Sequence, residues 1–126
     1  MINIDDAKMM LDGIADELPE DFYKSLNGGI ILSPETKLHP ASDDVRPLFI
    51  LGEYHYERLG LGRYIIIYFG SFTRTFGGLT PERMREKLRN TLLHEFTHHL
   101  ESLAGERGLA AKDARELAEY RRKLEE

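Results

Sequence analysis

The stretch TPERMREKLRNTLLHEFTHHLESLA, residues 80–104, reads as one long helix on which the rest of the fold depends. Thr80 supplies an N-cap oxygen, Pro81 has the fixed φ suited to a first helical position, and Glu82 places a negative charge in the first turn. Leu88, Leu92, Leu93, Phe96, Leu100 and Leu103 recur at helical spacing, so one face is expected to be buried. The spacing carries the helix to about Ala104, before Gly105 and Gly108 supply a stop and a turn.

Three of the five histidines lie within this segment. His94 and His98 are one helical turn apart, so both imidazoles can address one point about 2.0–2.1 Å from each ring nitrogen, the distance zinc requires. Glu95 lies about 100° round the helix, off the coordination axis and beside the metal's open position. A carboxylate there can take a proton from a water whose pKa the metal has lowered, leaving a hydroxide to attack a carbonyl that the metal polarises. HExxH thus encodes a hydrolytic site as well as a binding site. The plainer reading is a helix with surface histidines. Against it stand the independently specified cap, the apolar residues around the motif and the Ile-rich strand that precedes it.

Outward from this helix, Ile4, Ala7, Met10 or Leu11, Ile14, Ala15 and Leu18 mark an amphipathic first helix that Pro19 ends. Gly28-Gly29 opens a short strand at Ile30-Ile31-Leu32, and residues 35–46 read as a polar loop. LFILGEYHY (48–56) and YIIIYF (64–69) read as two neighbouring strands joined by a loop containing Gly60 and Gly62. Beyond Gly108, an apolar stripe of Ala110, Ala114, Leu117, Ala118 and Leu124 predicts a last helix. The expected fold is α+β: a single domain over residues 1–126, with a small sheet packed on the active-site helix and two further helices.

Net charge is −5, with basic residues interleaved among acidic ones, which argues against nucleic acid or an anionic membrane as partner. The segment MINIDDAKMMLDG is acidic where a secretory signal is basic, and the longest apolar run, Ile65 to Phe69, is too short to cross a bilayer. The expectation is a cytoplasmic protein. With no cysteine, any metal must be held by imidazole and carboxylate.

TPERMREKLRNTLLHEFTHH, together with FILGEY (49–54) and RYIIIYFGSFTRTF (63–76), resembles the small bacterial metallopeptidases of the minimal zincin family. The resemblance runs from the first helix to about Leu100. It implies a zincin-like core, in which the edge strand of a small mixed sheet borders the cleft and the active-site helix lies behind it. It also implies Zn2+ as cofactor, His94 and His98 as metal ligands, Glu95 as general base, and a peptide or protein as substrate. The chain departs from the family where a glycine usually follows the paired histidines by two residues, because Glu101 stands there.

The third ligand is therefore not carried over. Glu101 is three residues after His98 on the same face, while Glu116 and Glu119 lie on the expected last helix, and all three remain candidates beside ordinary surface pairing. His99 points about 100° away from His98, toward a backbone or carboxylate partner. Tyr54, His55, Tyr64 and Tyr68 are candidate oxyanion donors or strand packing. Arg74 is a candidate for binding a substrate carboxylate or an exposed arginine, and Gly77-Gly78 reads as a turn. The function expected is zinc-dependent hydrolysis of peptide bonds; the alternative is a catalytically idle zincin fold serving as a binding or regulatory module.

Overall fold

The computed structural model of the chain describes residues 2–107 together with 119 and 122. The elements run α1 (Ile4–Glu17), β1 (Gly29–Ser33), β2 (Lys37–Leu38), β3 (Phe49–Ile50), β4 (Gly52–Glu57), β5 (Gly62–Tyr68), α2 (Phe69–Phe76) and α3 (Pro81–Arg107). This is a mixed α+β arrangement. The expected last helix, with Glu116, lies outside the described residues, apart from Glu119 and Arg122, which are helical and exposed. No helix among the described residues is long and apolar enough to cross a membrane.

Asn3 caps α1 through a reciprocal pair of side-chain bonds with Asp6. The helix buries Ala7, Leu11 and Ile14 against the core, and Arg85 and Arg89 of α3 hold its C-terminal Glu17 at 2.6 and 2.9 Å. α3 begins where its cap predicts: the Arg83 amide donates to Thr80 Oγ1 at 3.3 Å. Met84, Leu88, Leu92, Phe96 and Leu103 form its buried stripe. It continues through Gly105 to Arg107, beyond the end expected at Ala104, because a helical glycine only lowers helix stability and need not end the helix.

Three strands form a mixed sheet in the order β1-β5-β4, with β1 parallel to β5 and β4 antiparallel to it. The central strand β5 is buried along most of its length, and α3 packs on β4 and β5 while α1 packs on α3. β4 is consequently an edge strand beside the histidine helix.

Three expectations change. The loop at 35–46 contains β2, which pairs with β3 and is held to α2 where the Lys37 amide donates to Ser71 Oγ at 3.0 Å. The single strand expected at 48–56 is two strands in different sheets, separated at Leu51, whose carbonyl accepts from the Tyr68 amide at 2.8 Å. The strand expected to run through Phe69 stops at Tyr68, and the chain turns into α2, burying Phe69 and Phe72 one turn apart. The β-favouring Phe and Thr residues of α2 are overridden by that burial.

Gly52 sets the spacing between β4 and α3. A Cβ there would lie 3.0 Å from Thr91 Cγ2, 3.1 Å from the Ile66 carbonyl oxygen and 3.2 Å from Ile67 Cδ1. Gly52→Ala is expected to destabilise the fold by about 1–3 kcal/mol in chemical denaturation, because all three contacts are too close. Adding Thr91→Ser should recover only part of the loss, since the strand-side contacts remain.

Candidate metal centre

α3 places His94 and His98 on one face, exposed, and Glu95 on the flank turned inward, 5% exposed. The two Nε2 atoms face each other at 3.1 Å, with the rings perpendicular. Two nitrogens bound to one tetrahedral zinc at the usual bond length lie about 3.3 Å apart. The pair therefore has the spacing of two metal donors; the same distance also suits an N–H···N hydrogen bond.

The opposite wall of the cleft is β4. Glu53, Tyr54, His55 and Tyr56 line a cavity of about 630 Å³ with His94, Glu95, His98 and Ser102. Burial, and secondarily the negative charge of Glu53, push the Glu95 carboxyl up to about 7. It thus binds and releases a proton near neutrality, where a general base or acid is most effective. A cation held by the neighbouring histidines would act in the opposite sense.

Glu53 itself stays ionised. Burial pushes its carboxyl up, but hydrogen bonds from Lys37, Tyr68 and His55 outweigh this and hold it at about 2. Lys37 Nζ reaches both carboxylate oxygens at 2.7 and 2.8 Å, the Tyr68 hydroxyl donates at 2.6 Å, and His55 Nε2 lies at 3.1 Å.

His99 faces away from the cleft and is fully buried. Its Nε2 lies 2.8 Å from the Lys24 carbonyl, which can only accept, so that nitrogen carries the proton and Nδ1 is left as an acceptor. The Tyr54 hydroxyl donates to Nδ1 at 2.9 Å and accepts from Arg63 Nη1 at 2.9 Å. Arg63 also donates to Ser102 Oγ and lies over the Tyr56 ring at 3.9 Å. Burial pushes the imidazole pKa down, the Lys24 carbonyl opposes this, and the Arg63 charge adds to the lowering. With both nitrogens engaged, His99 braces the helix from behind, and of the backbone and carboxylate partners expected for it the structure supplies the backbone one.

No third donor is assembled among the described residues. Glu101 is exposed, and its carboxylate lies 4.0 Å from His98 Nδ1, on the ring edge opposite the Nε2 that faces His94. Glu119 is exposed and Glu116 lies outside the described residues. Among the described residues no three His, Asp or Glu side chains form a metal-holding group. The aromatic candidates are likewise engaged: Tyr54 with His99, Tyr64 with Glu57, and His55 and Tyr68 with Glu53. Arg74 is exposed and lies 5.7 Å from the centroid of Phe49.

Lys37, Glu53 and Arg63 are site residues that the sequence reading lacks. Glu53 had one available signal, a carboxylate beside the Leu51-Gly52 break in a strand bordering the histidine helix. Its depressed pKa makes a testable contribution to stability. A carboxyl lowered in the folded state stabilises fully above its unfolded pKa of about 4.5, and that contribution disappears as pH falls toward 2. Because Lys37 is 43% exposed, screening reduces it to about 1–2 kcal/mol. Urea denaturation of Glu53→Gln should show that much destabilisation at pH 7 and little difference from wild type at pH 2 and below.

No family model and no curated protein matches the chain. Among solved structures, a conserved hypothetical protein from Thermo thermophilus is 34% identical, with a TM-score of 0.67, over 82% of this chain and 99% of that one. At that identity, and with nearly the whole of the other protein covered, this chain belongs to the same family as the conserved hypothetical protein from Thermo thermophilus.

Proposed function

We propose that the chain is a zinc-dependent metallopeptidase with a zincin-like fold, as its resemblance to the minimal zincins implies. The observation that carries this reading is the pair of facing Nε2 atoms on His94 and His98, 3.1 Å apart, beside the buried carboxyl of Glu95. His94 and His98 would hold the metal. Zinc bound there supplies Lewis acidity, polarising a peptide carbonyl and making water nucleophilic near neutral pH.

The remaining steps belong to the chain's own groups. Glu95 takes the proton from the attacking water and delivers it to the departing amine, two transfers for which its place on the inward flank of the His94/His98 face suits it. The outer edge of β4 offers backbone N–H and C=O groups to an extended peptide, fixing the scissile bond beside His94 and His98. The Arg63–Tyr54–His99 chain keeps that strand and the helix in register. The competing reading, a catalytically idle zincin fold used for binding, draws on the absence of a third donor among the described residues.

The test is metal content and peptide cleavage together. Protein purified without chelator should contain zinc, and His94→Ala should lose most of it. Glu95→Gln should retain zinc while cleavage of a broad peptide library falls by about 10²–10⁴-fold, the range for a general base. Absence of zinc together with no effect of His94→Ala would sink the proposal, and a zinc-loaded protein that cleaves nothing would favour the idle fold.

A further inference from the structure

A second cavity, of about 500 Å³, opens from His94 and Glu95 toward the start of α3. Phe49, Ile50, Leu51 and Phe76 give it apolar walls, and Lys87 and Asn90 lie on its helix side. Its volume is that of a small-ligand site, sufficient for a large side chain with adjoining backbone.

Two of the rings carry cations. Lys87 Nζ lies 5.4 Å from the Phe76 centroid, and the Arg74 guanidinium carbon lies 5.7 Å from that of Phe49. Lys8, Lys37, Arg85 and Arg89 pair with carboxylates, whereas Lys24, Arg46, Arg58 and Arg83 have no such pair among the described residues. Among the described residues neither Lys87 nor Arg74 has such a partner, and helical spacing provides none. Three and four residues from Lys87 stand Arg83, Met84, Asn90 and Thr91; the same positions around Arg74 hold Gly70, Ser71, Gly77 and Gly78. A cavity with an apolar wall and, on its helix side, a lysine that no carboxylate neutralises among the described residues is complementary to a ligand that is apolar and negatively charged.

The placement defines that ligand further. Lys87 precedes His94 by seven residues, about 10.5 Å along the helix axis at 1.5 Å per residue. An extended peptide covers this in about three residues. β4 runs in the same direction as α3, since Gly52 abuts Thr91 and Tyr54 bonds His99. A peptide added antiparallel to the free edge of β4 would thus run from Ser102 toward Lys87, with its C-terminal part in the cavity.

We infer that this cavity recognises the C-terminal side of a bound peptide: a large apolar side chain packs between Phe49 and Phe76, and a carboxylate about three residues from the histidine pair binds Lys87. The carboxylate is either the chain terminus or an Asp or Glu side chain. That a bond is cut N-terminal to this segment rests on the peptidase reading; the recognition itself does not.

The test measures binding separately from cleavage. Full-length Glu95→Gln protein loaded with zinc is titrated with fluorescent peptides carrying Phe or Leu two residues before the end. One has a free C-terminus, one a C-terminal amide, and one an amide with Glu as its last residue. The free acid should bind on the order of tenfold tighter than the plain amide, as expected for one charge-assisted contact. Recovery of tight binding by the Glu amide would assign the site to acidic side chains, and no recovery would assign it to chain termini. Lys87→Glu should reverse the preference and Lys87→Gln remove it, while circular dichroism verifies that these partly exposed substitutions leave the fold intact. Equal binding of all three peptides, a preference unchanged in Lys87→Glu, or no binding by any of the peptides overturns the inference. Selective binding without cleavage by the zinc-loaded wild type would sustain it and refute the peptidase reading. Cleavage indifferent to the carboxylate would do the reverse.

Discussion

The buried imidazole of His99 is the constraint to which both walls of the cleft answer. An imidazole removed from water costs about 1–3 kcal/mol for each polar atom left unpaired, so both nitrogens require partners. Lys24, just before β1, satisfies one and Tyr54 of β4 the other, while Arg63 of β5 and Ser102 of α3 extend the same chain of bonds. One residue on the far side of the helix from His94 and His98 thereby ties α3 to the sheet. Gly52 completes the constraint by allowing the strand close enough to Thr91 for these bonds to form. The exposed histidines at 94 and 98 take their orientation from a helix whose rotation is fixed by their neighbour at 99.

Charge in the cleft is arranged by the same close packing. Glu53 and Glu95 border one cavity, yet one is held ionised and the other is raised toward neutrality. The difference lies in their partners: Glu53 collects hydrogen bonds from Lys37, Tyr68 and His55, whereas Glu95 gains a desolvated position and a negative neighbour. Two carboxyls of ordinary intrinsic acidity acquire different roles through placement alone. Further toward the start of α3 the sign changes, because Lys87 and Arg74 rest on aromatic rings with no carboxylate paired to either among the described residues. The cleft thus has distinguishable ends along α3.

Much of this architecture is legible in the residue order alone. The cap at Thr80 and Pro81, the stripe from Leu88 to Leu103 and the apolar repeat of α1 are local patterns, and local patterns survive folding when burial agrees with them. The misreadings occur where burial opposed propensity. Phe69 reads as the last residue of the YIIIYF strand but opens α2, and FILGEYHY has the continuity of one strand but divides at Leu51 between two sheets. Lys37 and Leu38 form a strand only because Ser71 and the segment at Phe49–Ile50 lie opposite them.

The candidate site divides in the same way. The sequence by itself determined that His94 and His98 share a helical face and that Glu95 flanks them, since four-residue spacing on a capped helix leaves no other arrangement. It also implied a backbone or carboxylate partner for His99 without naming Lys24. Only the tertiary structure decided that Glu53 stays ionised beside Glu95, that Glu101 lies on the wrong edge of His98, and that Lys87 and Arg74 rest on Phe76 and Phe49, two rings that wall one cavity. Helical periodicity is a property of neighbouring residues and is written in their order. Ionisation, cavity walls and long-range pairing depend on groups tens of residues apart, which only the packed chain brings together.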